Sequence, residues 1–168
     1  IVEEAKKAEP LRSIIDPDYG EFFAGGRMVG KIQNFCRRTN QPIPETVGQI
    51  ARCIYESLAL KYRWALERLE EIKGKKIDTL NIVGGGINNK LLNQMAADSI
   101  DRKVITGPVE GAAIGNLLSQ AMALGDIQDI SELRAVVRRS EPVERWTPHH
   151  TALWEDGYRR LLALLEKA

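Results

Sequence analysis

The stretch "NIVGGGINNKLL", residues 81–92, passes from a short apolar run through three consecutive glycines into two asparagines, a lysine and two leucines. Just upstream, residues 77–83, "IDTLNIV", alternate apolar and polar positions before turning apolar, the pattern of a partly buried strand. Downstream, Asn88 or Asn89 stands where it can cap a helix whose inward positions are Leu91, Leu92, Met95 and Ala96. After a turn at "SIDR", the run "KVIT" (Lys103–Thr106) reads as a second strand. "GPVEGAAIGNLLSQAMALG" then reads as a helix with Pro108 near its start and Gly125 past its end. Strand, glycine turn, helix, strand, helix is an α/β unit with parallel strands. The expected fold class is therefore α/β, helix-rich, with a short parallel sheet.

The chemistry of the turn is narrowed by its spacing. A dinucleotide-binding fingerprint needs GxGxxG, but Gly84 and Gly86 are followed by Asn89 where the third glycine should stand. A phosphate loop of the form GxxxxGK[ST] would need a glycine at 89 and a hydroxyl at 91, which is Leu. What survives is physical. Residues without Cβ at the carboxyl end of a strand let a flat or charged ligand lie on the main chain, with N–H groups of the next helix start nearby. A tight turn that binds nothing explains the same residues equally well.

The flanking segments read as scaffold. Residues 27–38 place Met28, Ile32, Phe35 and Cys36 on one helix face, and "TNQPIP" ends that helix. Thr46 and Gln49 form a capping-box pattern. From there Ile50, Ile54, Leu58, Tyr62, Ala65, Leu69 and Ile72 mark a long amphipathic helix that Gly74 can end. Gly111, Ala112 and Gly115 leave one face of the "GAAIGN" helix without bulk, open to a close neighbour. Glu110 sits in the first turn of that helix, where a carboxylate is expected as a cap rather than as a ribose ligand. Ser131 is placed to cap a short helix through Val137, "SEPVERWTPHHT" reads as a loop, and Leu153, Trp154, Tyr158, Leu161, Leu162 and Leu165 line a terminal helix. His149 and His150 are expected as exposed loop residues, and Trp64 and Trp154 as packing residues.

Composition excludes several classes. The 168 residues are 43% hydrophobic and 28% charged with formal net charge +1, which implies neither a nucleic-acid partner nor a disordered tail. No apolar run approaches the about 20 residues that cross a bilayer, so no membrane partner is expected and the cytoplasm is the default location. The two cysteines, Cys36 and Cys53, have no metal-ligand spacing and read as reduced thiols on helices. No metal site is expected within the chain.

The segment "RCIYESLALKYRWALERLEEIKGKKIDTLNIVGGGINNKLLNQMAAD", with "VITGPVEGAAIGN", closely resembles the C-terminal region of the FGGY carbohydrate kinases, and within them the members acting on L-rhamnulose. The resemblance runs from about "IIDPD" to "WTPHH". It implies part of an actin-like ATPase (ribonuclease-H-like) domain with a truncated parallel sheet. It also implies ATP and Mg2+ as cofactors and a ketose sugar, L-rhamnulose, phosphorylated on its 1-hydroxyl. By that resemblance Gly85 is the best candidate for nucleotide contact, Gly84 and Gly86 shape the turn, and Asn89 matches a polar position near the nucleotide. Relatives acting on glycerol carry Asp-Gly-Gly here, whereas Val83 precedes these glycines, so no acidic role survives at that spot.

The family's catalytic Asp and main phosphate turn belong to sequence preceding the resemblance, so no catalytic residue is expected in this chain. Residues 1–168 are expected to be the C-terminal part of the second kinase domain, with 77–125 as its nucleotide-facing core and a missing N-terminal kinase domain as partner. Three other readings stay open on sequence: a kinase for another sugar such as xylulose or fuculose, a non-catalytic nucleotide- or sugar-binding domain, and a dinucleotide-dependent oxidoreductase.

Overall fold

The computed structural model describes residues 1–166. Seven helices and three strands follow in the order α1 (Val2–Lys7), α2 (Met28–Arg38), α3 (Val47–Lys73), β1 (Thr79–Ile82), α4 (Lys90–Ile100), β2 (Lys103–Thr106), α5 (Gly111–Leu124), α6 (Ile130–Ser140), β3 (Glu144–Trp146) and α7 (Ala152–Leu165). None of these helices is long and apolar enough to cross a membrane.

Local chemistry sets the helix ends. The Thr46 hydroxyl accepts from the Gln49 N–H while the Gln49 side chain accepts from the Thr46 N–H, a complete capping box that starts α3. Gly74 ends α3 in the left-handed conformation, with its N–H on the Glu70 carbonyl at 2.8 Å. Asn89 caps α4 through Leu92 N–H, which settles the choice between Asn88 and Asn89. Helix α6 is capped by Asp129 and not by Ser131, because only Asp129 stands one residue ahead of the helix in extended backbone; it runs on to Ser140. Helix α5 starts at Gly111, three residues after Pro108, and Glu110 occupies its N-cap position without making a side-chain cap bond.

Helix α3 is the spine of the chain. The expected stripe of large apolar residues is only its half-buried flank, and Ala65, Leu69 and Ile72 are exposed. The buried face instead carries Gly48, Ala51, Cys53, Ser57, Ala59, Leu60 and Leu66, mostly small residues that admit close neighbours. A Cβ at Gly48 would stand 2.4 Å from the Glu4 carbonyl oxygen, which is how near α1 comes. Buried Glu56, 1% exposed, accepts from Leu11 N–H at 2.8 Å and from Arg52 Nε at 2.7 Å. Burial pushes its pKa up against the opposing pull of Arg52. Cys36 and Cys53 are free and buried, packed with Ile15, Ile32 and Phe35.

The sheet has the order β1-β2-β3 and is mixed. Strands β1 and β2 run parallel with Thr79 opposite Lys103 and Ile82 opposite Thr106, joined by α4 as expected of a β-α-β crossover. The expected loop 140–151 contains β3, which pairs antiparallel to β2 with Val104 opposite Trp146 and Thr106 opposite Glu144. At three residues, two of them charged, β3 is too short to leave an alternating pattern to read. Helix α7 packs on α3 and α4 with Trp154, Tyr158 and Leu161 in the main core, while Leu153 is exposed. Helix α5, the most apolar in composition, has no buried residue; Leu117 is 66% and Leu124 80% exposed. The close approach expected of its small-residue face is limited to Gly111 against Val83, and Gly115 meets nothing within 4 Å.

Gly48→Ala is expected to force α1 off α3 and to lower stability by roughly 1 to 3 kcal/mol. A shift in the urea midpoint of the 168-residue chain at constant slope would record it. An unchanged midpoint would contradict the contact between Gly48 and the Glu4 carbonyl.

Candidate functional site

The glycine turn leaves β1 at its carboxyl end. Gly84 has φ 91° and ψ −179°, a conformation that only glycine adopts without strain. Its N–H donates to the Pro108 carbonyl at 3.1 Å, and the Gly107 N–H donates to the Ile82 carbonyl at 2.8 Å. These two bonds tie the exits of β1 and β2 together. A Cβ at Gly107 would stand 2.9 Å from Val83 Cγ1, so that position also needs a bare backbone, a requirement the sequence reading missed. The "TGP" that follows "KVI" was the signal available for it.

Residues Gly85–Asn88 then form one turn of 3-10 helix. Ile87 N–H bonds the Gly84 carbonyl at 3.2 Å and Asn89 N–H bonds the Gly86 carbonyl at 3.1 Å. Gly85 and Gly86 open the turn, so their N–H groups precede its first internal bond and have no partner inside it. Both are exposed, and a Cβ on either would meet nothing within 4 Å. Backbone conformation therefore demands glycine at 84, and neither conformation nor packing demands it at 85 or 86. The Asn89 Oδ1 is engaged in capping α4, accepting from Leu92 N–H at 3.2 Å. Buried Asn93 donates from Nδ2 to the Ile87 carbonyl at 2.7 Å and fixes the turn against the first turns of α4.

Gly84, Gly85, Gly86 and Asn89 thus lie together on one surface at the carboxyl ends of the parallel strands, the general place for ligands in open α/β sheets. Beside them stands a charge pair that sequence spacing could not show. Lys90 Nζ lies 3.0 Å from Glu144 Oε1, across 54 residues of chain, because β3 delivers Glu144 opposite Thr106. His149 and His150 are exposed, on the segment between β3 and α7. Glu110 is exposed at the start of α5. Among the described residues no three His, Cys, Asp or Glu side chains gather in a group that could hold a metal ion. Among the described residues the surface offers backbone donors, a capped helix start and an exposed lysine paired with Glu144, which suits an anionic, partly planar ligand.

Comparison with known proteins gives this surface its context. The profile of the FGGY family of carbohydrate kinases, C-terminal domain, matches residues 2–124. The chain is 44% identical over 158 residues to a rhamnulokinase of Bacteroides thetaiotaomicron, covering 94% of this chain and 33% of that protein. It is 44% identical over 148 residues to a rhamnulokinase of Bacillus subtilis, covering 88% and 30%. Among solved structures it resembles a xylulose kinase from Rhodospirillum rubrum with TM-score 0.61 and 22% identity, over 75% of this chain and 26% of that one. A gluconate kinase from Lactobacillus acidophilus superposes with TM-score 0.57 at 17% identity, over 71% and 24%. The chain spans about a third of the length of the curated relatives it matches. These structures share the fold, and the sheet here is mixed where a purely parallel one was expected.

The two classes of glycine are expected to separate in a stability measurement. Gly84→Ala should cost roughly 1 to 3 kcal/mol through backbone strain, while Gly86→Ala should leave the urea midpoint within about 0.5 kcal/mol of the parent. Equal losses at both positions would refute the division.

Proposed function

The chain belongs to the FGGY family of carbohydrate kinases, within their C-terminal domain, and from that premise we propose that it supplies the nucleotide-facing side of a kinase that transfers the γ-phosphoryl group of ATP to the 1-hydroxyl of L-rhamnulose. The observation that carries this reading is the open glycine turn: Gly85 and Gly86 have no packing neighbour to explain their missing side chains, and both lie exposed just past the end of a parallel strand. The sugar rests on the similarity to two rhamnulokinases at 44% identity across most of this chain. As an ATP-dependent sugar kinase of rhamnose catabolism, the protein is assigned to the cytoplasm in this reading.

Within this proposal residues 77–125 form the nucleotide-facing core. The Gly85 N–H and the surface without Cβ at 85 and 86 take the nucleotide, Gly84 holds the turn in shape, and Asn89 fixes the start of α4 beside it. ATP enters as the phosphoryl donor, and its chemistry is an in-line displacement helped by positioning and charge stabilisation. The residues here bind and orient. They lack a carboxylate cluster for Mg2+ among the described residues, so no step is assigned to the metal in this chain. The base that takes the proton of the sugar hydroxyl, and the second wall that excludes water from the transfer, are assigned to the other domain of the kinase.

Gly85→Val tests the nucleotide assignment, because a Cβ at 85 meets no atom of the chain and its effect is directed at the ligand. In the whole kinase, KM for ATP is expected to rise at least tenfold, about 1.4 kcal/mol or more, with KM for L-rhamnulose unchanged. Unaltered ATP affinity would refute the assignment. The 168-residue chain by itself is expected to give no ATP-dependent phosphorylation of L-rhamnulose, and turnover by it would overturn the division of roles.

A further inference from the structure

The ion pair beside the glycine turn joins two parts of the chain that lie 54 residues apart in sequence. Lys90 is the first residue of α4, directly after the capping Asn89. Glu144 begins β3, which lies beyond residue 124, where the match to the family profile ends. The antiparallel register sets Glu144 opposite Thr106, one residue before the Gly107 and Pro108 backbone that holds β1 and Gly84. The pair therefore stands at the same carboxyl end of the parallel strands as the turn. Both side chains remain open to solvent, 70% exposed for Lys90 and 45% for Glu144.

An exposed pair of this kind is held weakly, so its partners exchange readily with a competing charge. A polyphosphate laid on the Gly85 and Gly86 backbone brings several negative charges to the same end of the sheet as the Lys90 ammonium. A single carboxylate cannot match them. We propose that Lys90 is a specificity-determining residue for the phosphate chain of the nucleotide, and that Glu144 holds the ammonium in reserve beside the turn until the nucleotide takes it over. Strand β3 would in this way tune nucleotide affinity, through a residue far from the turn in sequence. This inference rests on the reading of the glycine turn as the nucleotide side.

The rival account is that the pair only staples β3 to α4, and the two accounts differ in sign. If Lys90 serves the nucleotide, Lys90→Ala raises KM for ATP about two- to fivefold, with kcat and KM for L-rhamnulose unchanged. Inhibition by adenosine, which lacks phosphates, also stays unchanged, and Lys90→Arg keeps the parent value. Glu144→Gln releases the ammonium and lowers KM for ATP. Should both Lys90→Ala and Glu144→Gln raise KM for ATP, or should Lys90→Ala leave it unchanged, the proposal is overturned. Gly85→Val measured in the same assays separates the two failures. If Gly85→Val raises KM for ATP and Lys90→Ala does not, only the role of Lys90 falls. If neither moves it, the nucleotide reading of the turn falls with it.

Discussion

The close packing of α3 is the constraint on which the rest of the structure depends. At 27 residues this helix is about 40 Å long, as long as a small domain is wide. It contributes to all three apolar clusters in turn. Cys53 packs with Ile32 and Phe35, Ala59 and Leu60 with Leu92, Trp154 and Leu161, and Leu66 with Ala97, Ile100 and Val104. A helix that serves three clusters must be approached from several sides, and large side chains on every side would hold the neighbours off. Gly48, Ala51, Ser57 and Ala59 remove that obstacle. The cost is a polar group in the interior, Glu56, which is tolerable because Arg52 and the Leu11 N–H both bond it.

That arrangement explains what the sequence disclosed and what it concealed. Helix ends were readable because caps are local chemistry: Thr46 with Gln49, Gly74 and Asn89 each act within four residues of their own position. The buried face of α3 was not, because periodicity counts large apolar residues, whereas the contacts of α3 favour small ones. Strand β3 was hidden for a related reason. Three residues reading Glu-Arg-Trp have no alternation to detect, and their place is set by a backbone ladder to β2 some 40 residues earlier. In the site, the glycines were legible as positions that lack a side chain. Which glycine serves the fold and which is free of it required the contacts around each Cβ, and Lys90 with Glu144 required the register of β3.

The turn separates two demands that often fall on the same residue. Gly84 is bound to the fold by its backbone angles and by the bond from its N–H to Pro108, so it is glycine whether or not a ligand ever arrives. Gly85 and Gly86 answer to no such demand. Glycine loses more conformational freedom on folding than any other residue, and here no native contact repays that loss. The open surface at 85 and 86 is therefore the point where packing and backbone conformation stop explaining the sequence.

Helix α5 poses the complementary problem. Its composition is that of a buried helix, and yet none of its residues is buried and its chief neighbour in the chain is α6. Gly111 fits beside Val83, which anchors only the first turn. The edge of β1 away from β2 is likewise unpaired among the described residues. Burial of Leu117 and Leu124 alone would contribute about 1.5 to 3 kcal/mol each, comparable to a sizeable fraction of the stability of a small domain. Among the described residues a strand edge thus stays unpaired and an apolar helix uncovered, and packing within the segment answers neither demand.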